Sequence, residues 1–182
     1  MERVCVFIDG ANFYGGLRTI NERYTDTKFH FKDFVNKIVG RNRKLVKVYY
    51  YNASLKQQIN KEIFKKQQSL FNRLEKKWGF KVILCKRQKR DADDGTTKHV
   101  IKGDDIHLAL DMLKGAYENE YDTAILISGD GDFSILVKYV CKKGKKVENY
   151  YFEGTISLNL LRECKKSFCI DRKIVNKYFY RG

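Results

Sequence analysis

The chain is predicted to fold as a three-layer α/β protein around a mainly parallel sheet of about five strands. Three observations carry that reading. Short apolar runs alternate with segments of helical spacing along the whole length, which is the pattern of parallel strands joined by crossover helices. Two of the runs, Val4–Ile8 and Thr123–Ile127, are continuous rather than alternating, as strands buried on both faces are. At 182 residues the chain has length for one domain, 1–182, with an ample core.

The first strand spans 3–8 and ends in Asp9–Gly10–Ala11–Asn12. An amphipathic helix follows from Ala11 to about Arg23. Phe31, Phe34, Val35, Ile38 and Val39 recur at helical spacing and stop at Gly40, a C-terminal breaker. Leu45–Tyr51 is the second strand, a long helix runs from Leu55 to Trp78, and Phe80–Cys85 is the third strand. Residues 86–97 are so charged that they read as a loop. A helix over 103–117, a strand over 123–128, a helix over 132–143, a strand over 145–152 and a short helix over 157–164 complete the alternation. A short apolar piece around Phe168 and Ile170 lies in the tail.

Composition narrows the function. Lys plus Arg number 37 against 22 Asp plus Glu, a formal charge of +15. Such an excess favours a polyanionic partner, nucleic acid before an anionic membrane. No run of 18 apolar residues provides a membrane span, and the first strand begins too early for a signal peptide. Five cysteines, an odd number without C-x-x-C spacing, read as reduced thiols of a cytoplasmic protein rather than a disulfide frame or zinc site.

The chemistry concentrates at strand ends. Ile125–Leu126–Ile127 runs into Ser128–Gly129–Asp130–Gly131–Asp132, with the glycines expected to supply a permissive turn. Sites in open α/β sheets form beyond the carboxyl ends of strands. Asp9 and the pair Asp130 and Asp132 both stand there, which points to one shared acidic site; the bland alternative is two helices with Asp caps. A third source of acid is the helix over 103–117. On a helical wheel Asp105 falls with Ile101, Leu108 and Met112 on the stripe expected to face the sheet, while Asp104 lies about 60–80° away. Carboxylates gathered in one place resist joint ionisation. A divalent cation resolves that, and an oxygen-only donor set suits Mg²⁺ or Mn²⁺. Such an ion activates water and stabilises a phosphodiester under attack.

Three motifs in order, Val6–Phe7–Ile8–Asp9–Gly10–Ala11–Asn12, Lys102–Gly103–Asp104–Asp105 with Leu108–Ala109–Leu110–Asp111–Met112, and Tyr121–Asp122–Thr123–Ala124–Ile125 leading to Ser128–Gly129–Asp130–Gly131–Asp132–Phe133, resemble the NYN domain, in the LabA-like branch of the PIN-like nuclease superfamily. Gly144–Lys145–Lys146–Val147 matches as well. The resemblance implies a Rossmann-like PIN fold of strand order 3-2-1-4-5 and Mg²⁺- or Mn²⁺-dependent RNA cleavage. By motif position it gives Asp9, Asp105, Asp130 and Asp132 the acidic, metal-holding roles, with Asn12 and Ser128 supporting them. Asp104 departs from the family pattern, which commonly has an apolar residue there, and is a candidate extra acid. Lys86, Arg87, Lys89 and Arg90, with Lys98 and Lys102, are candidate contacts for nucleic acid, single-stranded RNA foremost; a homodimer and no membrane partner are the other expectations.

Rival chemistries fare worse. A haloacid-dehalogenase phosphatase needs an acid two residues after Asp9, where Ala11 stands. A dinucleotide site needs G-x-G-x-x-G, and Gly129–Asp130–Gly131 lacks the third glycine. The remaining rival is a non-catalytic RNA-binding or regulatory protein-interaction module on the same fold. Of the histidines, His107 reads as surface, His30 as a loop or cap residue, and His99 as bland or a phosphate contact. Tyr49, Tyr50 and Tyr51 offer core packing first and base stacking second.

Overall fold

The computed structural model describes residues 1–54, 60–91 and 97–179, and for 86–91 and 97–102 the backbone alone. The described residues form seven strands and seven α-helices, in the order β1 (Glu2–Asp9), α1 (Gly10–Ile20), α2 (Phe31–Val39), β2 (Arg43–Ala53), α3 (Lys61–Asn72), β3 (Lys81–Asp91), β4 (Thr97–Lys102), α4 (Asp104–Tyr117), β5 (Thr123–Ile127), α5 (Phe133–Lys142), β6 (Lys146–Phe152), α6 (Leu158–Glu163), β7 (Lys166–Ile170) and α7 (Arg172–Lys177). The sheet order is β4-β3-β2-β1-β5-β6-β7. Every neighbouring pair is parallel except β3 with β4.

The six parallel strands keep the expected order and extend it by one. The apolar piece around Phe168 and Ile170 is that sixth strand, β7, paired with β6 from Lys166 to Ile170. Its brevity hid it. The charged stretch after Cys85 is a second difference. β3 continues to Asp91 and pairs antiparallel with β4, Lys86 opposite Lys102 and Asp91 opposite Thr97. Charged residues are tolerated there because β4 is an edge strand, and edge strands commonly carry charge. The expected helix from Leu55 is α3 from Lys61 followed by a π-helical turn, Arg73–Lys77; residues 55–59 lie outside the described residues.

Alternation along β1 divides the core. Val4, Val6 and Ile8 face a cluster that includes Phe13 and Leu17 of α1, Phe31 and Phe34 of α2, and Leu70 of α3. Cys5 and Phe7 face the other layer, with Leu108 and Met112 of α4, Val137 and Val140 of α5, and Leu160 of α6. Tyr49, Tyr50 and Tyr51 are all buried, so none is free to stack a base. The helix after β1 and the helix after β5 therefore lie on opposite faces of the sheet, and β1 and β5 are neighbours, Ile8 opposite Ile127. The crevice between their carboxyl ends is the topological switch point of this fold.

Candidate active site at the carboxyl end of the sheet

Asp9 is the last residue of β1 and the N-cap of α1. Its Oδ1 accepts from the Asn12 backbone N–H at 2.9 Å, which satisfies one orphan donor of the helix terminus. Its Oδ2 accepts from Ser128 Oγ at 3.0 Å. Capping and site membership are thus not alternatives, because one carboxylate has lone pairs for both. The neighbouring strand supplies the rest. Ser128 Oγ accepts from the Asp130 N–H at 3.1 Å, Asp130 Oδ1 accepts from the Asp132 N–H at 2.9 Å, and Asn12 Oδ1 accepts from the Gly129 N–H at 3.0 Å. Asn12 and Ser128 therefore clamp the β5–α5 turn to the start of α1, which fixes Asp9 and Asp130 relative to each other.

Gly129 has another purpose than the expected backbone freedom. A Cβ there would meet Thr155 O at 2.2 Å, and its carbonyl accepts from the Ser157 N–H at 3.1 Å. The turn is pressed against the loop after β6, and only a residue without a side chain fits. Gly103, by contrast, has φ of 97°, a left-handed conformation that favours glycine. It swings the chain from β4 into α4 and serves as the N-cap, so neither Asp104 nor Asp105 is a cap.

The burial of those two acids is the reverse of the wheel reading. Asp104 is buried at 8% exposure, together with Leu108, Met112, Gly115 and Ala116 of the same helix. Asp105 is exposed and lines the groove between α4 and α5 with Asp132. The wheel took Ile101 as helical, whereas Ile101 belongs to β4, so it could not see how Gly103 turns the first residue of the helix inward. Asp105 still faces the acids of the site. Partial enclosure of its carboxyl by the groove, and then the charges of Asp104, Asp130 and Asp132, push it up to about 6. Burial also pushes Asp9 to about 6; its bonds from Asn12 and Ser128 pull the other way, and the charges of Asp105 and Asp104 add to the rise. Acids from β1, α4 and the β5–α5 turn thus feel one another.

Sequence reasoning missed Asn149. It is fully buried in β6, and its Nδ2 donates to Leu126 O at 3.2 Å and Ser128 O at 2.8 Å. It braces the strand end that delivers the acidic turn. An Asn between the buried Val147 and Phe152 of β6 was the available signal, since a buried amide demands partners. Lys86, Arg87, Lys89, Arg90, Lys98 and Lys102 lie on the β3–β4 hairpin, and their side chains fall outside the described residues. Another basic stretch, Lys142–Lys146, leads from the end of α5 into the first residue of β6 and so lies at the opposite end of the sheet from the acids; Lys146 Nζ pairs with Glu2 at 2.9 Å. His107 is exposed, as expected; His30 is the N-cap residue of α2, with Nδ1 3.4 Å from Asp33. The five cysteines are free thiols.

The donor set suits a hard divalent cation, being carboxylate oxygens without thiolate or imidazole. Among the described residues no three acidic, histidine or cysteine side chains converge as a ready metal cage. Mg²⁺ binds through one or two carboxylates plus water and substrate oxygens, so it needs no such cage.

The fold is shared with a protein of unknown function from Vibrio parahaemolyticus RIMD 2210633, at 23% identity, with a TM-score of 0.66 and 94% of each chain covered. MurG from Acinetobacter baumannii aligns at 11% identity over 93% of this chain and 41% of its own, with a TM-score of 0.45, too low to bear on the fold. No curated protein matches in sequence. No helix among the described residues is long and apolar enough to cross a membrane. The model of the NYN domain matches residues 3–171, and the chain accordingly belongs to the NYN domain family, within the PIN-like nuclease superfamily.

Proposed function

We propose that the protein is a metal-dependent ribonuclease, hydrolysing phosphodiester bonds of single-stranded RNA at the carboxyl end of the sheet. The observation that carries the reading is the mutual electrostatic burden of Asp9, Asp104, Asp105, Asp130 and Asp132 in a chain of net charge +15. Membership of a nuclease-like family gives those acids their meaning, and a nucleic-acid substrate suits the excess of basic residues.

Asp9, Asp105, Asp130 and Asp132 would hold Mg²⁺ or Mn²⁺, with Asp104 as an additional acid. The bound ion supplies Lewis acidity toward phosphate and a lowered pKa for water. The residues of the chain do the positioning. Ser128 and the Asn12 backbone fix both oxygens of Asp9. Ser128 also holds the Asp130 backbone, and the Asn12 side chain holds that of Gly129. Lys86, Arg87, Lys89, Arg90, Lys98 and Lys102, on the hairpin leading into α4, would bind backbone phosphates and weaken that binding steeply with salt.

Asp130→Asn preserves shape and removes a charge. Wild type and Asp130→Asn are purified in parallel and given labelled single-stranded RNA or DNA with Mn²⁺, with and without chelator. Wild type should cleave RNA only with metal, and Asp130→Asn should bind RNA at least as tightly without cleaving it. Equal cleavage by both places the activity elsewhere. Binding without cleavage of any substrate by either protein establishes the non-catalytic RNA-binding module instead.

A further inference from the structure

We propose that the groove between α4 and α5 is a self-association face, occupied by the same groove of a second copy in an antiparallel two-fold arrangement. The groove encloses about 460 Å³ and is lined by Ile106, Ala109, Leu110, Leu113, Ile135 and Tyr139, among others. Ile106 is 62% exposed, Leu110 59%, Ile135 58% and Tyr139 52%. Four large apolar side chains on two adjacent helices form a contiguous patch, which on a soluble domain marks an interaction site. Its chemistry favours protein over RNA. Nucleic-acid surfaces are lined by cations and aromatic rings, whereas this groove has no cation among its lining residues and, with Tyr139 as its one exposed ring, is mainly aliphatic, as the core of a protein interface is.

Charge at the two ends selects the partner. α4 and α5 both begin at the carboxyl end of the sheet, so they run side by side in the same direction. Asp105 and Asp132 stand at the start of the groove. At its far end Lys143 Nζ lies over the Tyr117 ring at 4.4 Å and Lys142 Nζ over the Tyr139 ring at 5.3 Å. From Asp105 to Tyr117 the helix rises about 18 Å. A two-fold axis across the middle of the groove reverses one copy against the other. It buries aliphatic against aliphatic and sets the acid end of each copy against the lysine end of its partner, as an isologous interface requires. The proposal does not rest on the nuclease reading, but it draws on Asp105 and Asp132, which that reading assigns to a cation, so self-association and metal would compete for these acids.

The test is sedimentation of the full chain from low to high micromolar concentration. Wild type should pass from monomer to dimer. Leu110→Glu and Ile135→Glu replace exposed side chains, should retain the helical circular dichroism, and should each weaken the dimer at least tenfold. The charge arrangement has its own control. Lys142→Glu with Lys143→Glu should impair self-association, as should Asp105→Lys with Asp132→Lys, whereas a mixture of these two double variants should form a heterodimer detectable by native mass spectrometry. The proposal is overturned if wild type stays monomeric throughout, if the dimer survives both glutamate substitutions, or if the mixed variants fail to pair. A monomeric wild type whose RNA binding is lost in Leu110→Glu would assign the groove to nucleic acid instead.

Discussion

At the amino end of the sheet Asp122, Glu2 and Glu148 meet cations; at the carboxyl end the acids meet one another. Asp122 accepts a forked contact from Arg3, with Nη2 at 2.7 Å, and the guanidinium pulls its carboxyl down to about 2. Lys146 lowers Glu2 in the same way, and Arg43 Nη1 reaches Glu148 at 2.9 Å. Asp9 and Asp105 are displaced the other way, up to about 6, and among the described residues no ion pair relieves Asp9, Asp104, Asp105, Asp130 or Asp132. The two ends differ in what they do for the protein. Paired acids tie strands together; crowded acids oppose folding unless something from outside neutralises them. Acids crowded at such a cost are what the proposed cation site requires.

Breaking the paired end should produce the largest effect. Arg43 spans three elements: beyond Glu148, its Nε donates to Val39 O at 2.6 Å and its Nη2 to Ile38 O at 2.7 Å, so it also caps the last turn of α2. Arg43→Met leaves Glu148 and two helix carbonyls without their partner. The expected loss is about 3 kcal/mol, in the range for breaking a largely buried pair, measured by urea denaturation at pH 7. The carboxyl end should respond to an addition rather than a deletion. Mn²⁺ or Mg²⁺ at a hundred times its dissociation constant stabilises a one-site protein by about 2.7 kcal/mol. The melting temperature of wild type should rise accordingly, and that of Asp130→Asn should rise much less. A rise equal in both proteins would place the cation outside the acidic site.

Much of this contrast was legible in the sequence. Two continuous apolar runs ending in Asp located β1 and β5, and the ordered motifs located the acids of α4. What escaped depended on contacts between segments far apart in the chain. β7 was too short and too polar to stand out before β6 was there to pair it. The β3–β4 hairpin read as loop because strand pairing, not side-chain pattern, makes those charged residues extended. Asp104 and Asp105 exchanged environments because Gly103 reorients the first turn of α4. Asn12 was expected to position Asp9 or a phosphate oxygen; its side chain instead holds the Gly129 backbone, a partner beyond the end of another strand that follows only from β1 and β5 being neighbours. The amino-end pairs were invisible for the same reason, since Arg3 and Asp122 meet only once the sheet is assembled.

The smallest expected effect is the sharpest probe of the crowded end, because it has a sign that the paired end cannot imitate. In chelated buffer Asp9 titrates near 6 in the native protein and near about 4 when unfolded. Between those values the native state holds a proton that the unfolded chain has released, so stability falls as pH rises through this window and the full cost stands above it. Asp122, pulled down to about 2, behaves oppositely: its contribution is present above the unfolded value and is lost as pH falls toward the native one. Asp9→Asn keeps an Oδ1 to cap α1 and an amide that can face Ser128 Oγ, while removing the charge. A two-unit shift corresponds to about 3 kcal/mol, and a reoriented Ser128 bond takes back about 1 kcal/mol of it. Asp9→Asn should therefore be more stable than wild type by about 2 kcal/mol at pH 7, with the advantage gone by about pH 4. Part of the slope remains, since Asp105 is displaced in the same direction. Denaturation curves at intervals from pH 4 to pH 7 measure it. A variant less stable than wild type at pH 7 would mean that the cap and the Ser128 bond outweigh the repulsion, and the acids would then be a structural knot rather than a site awaiting a cation.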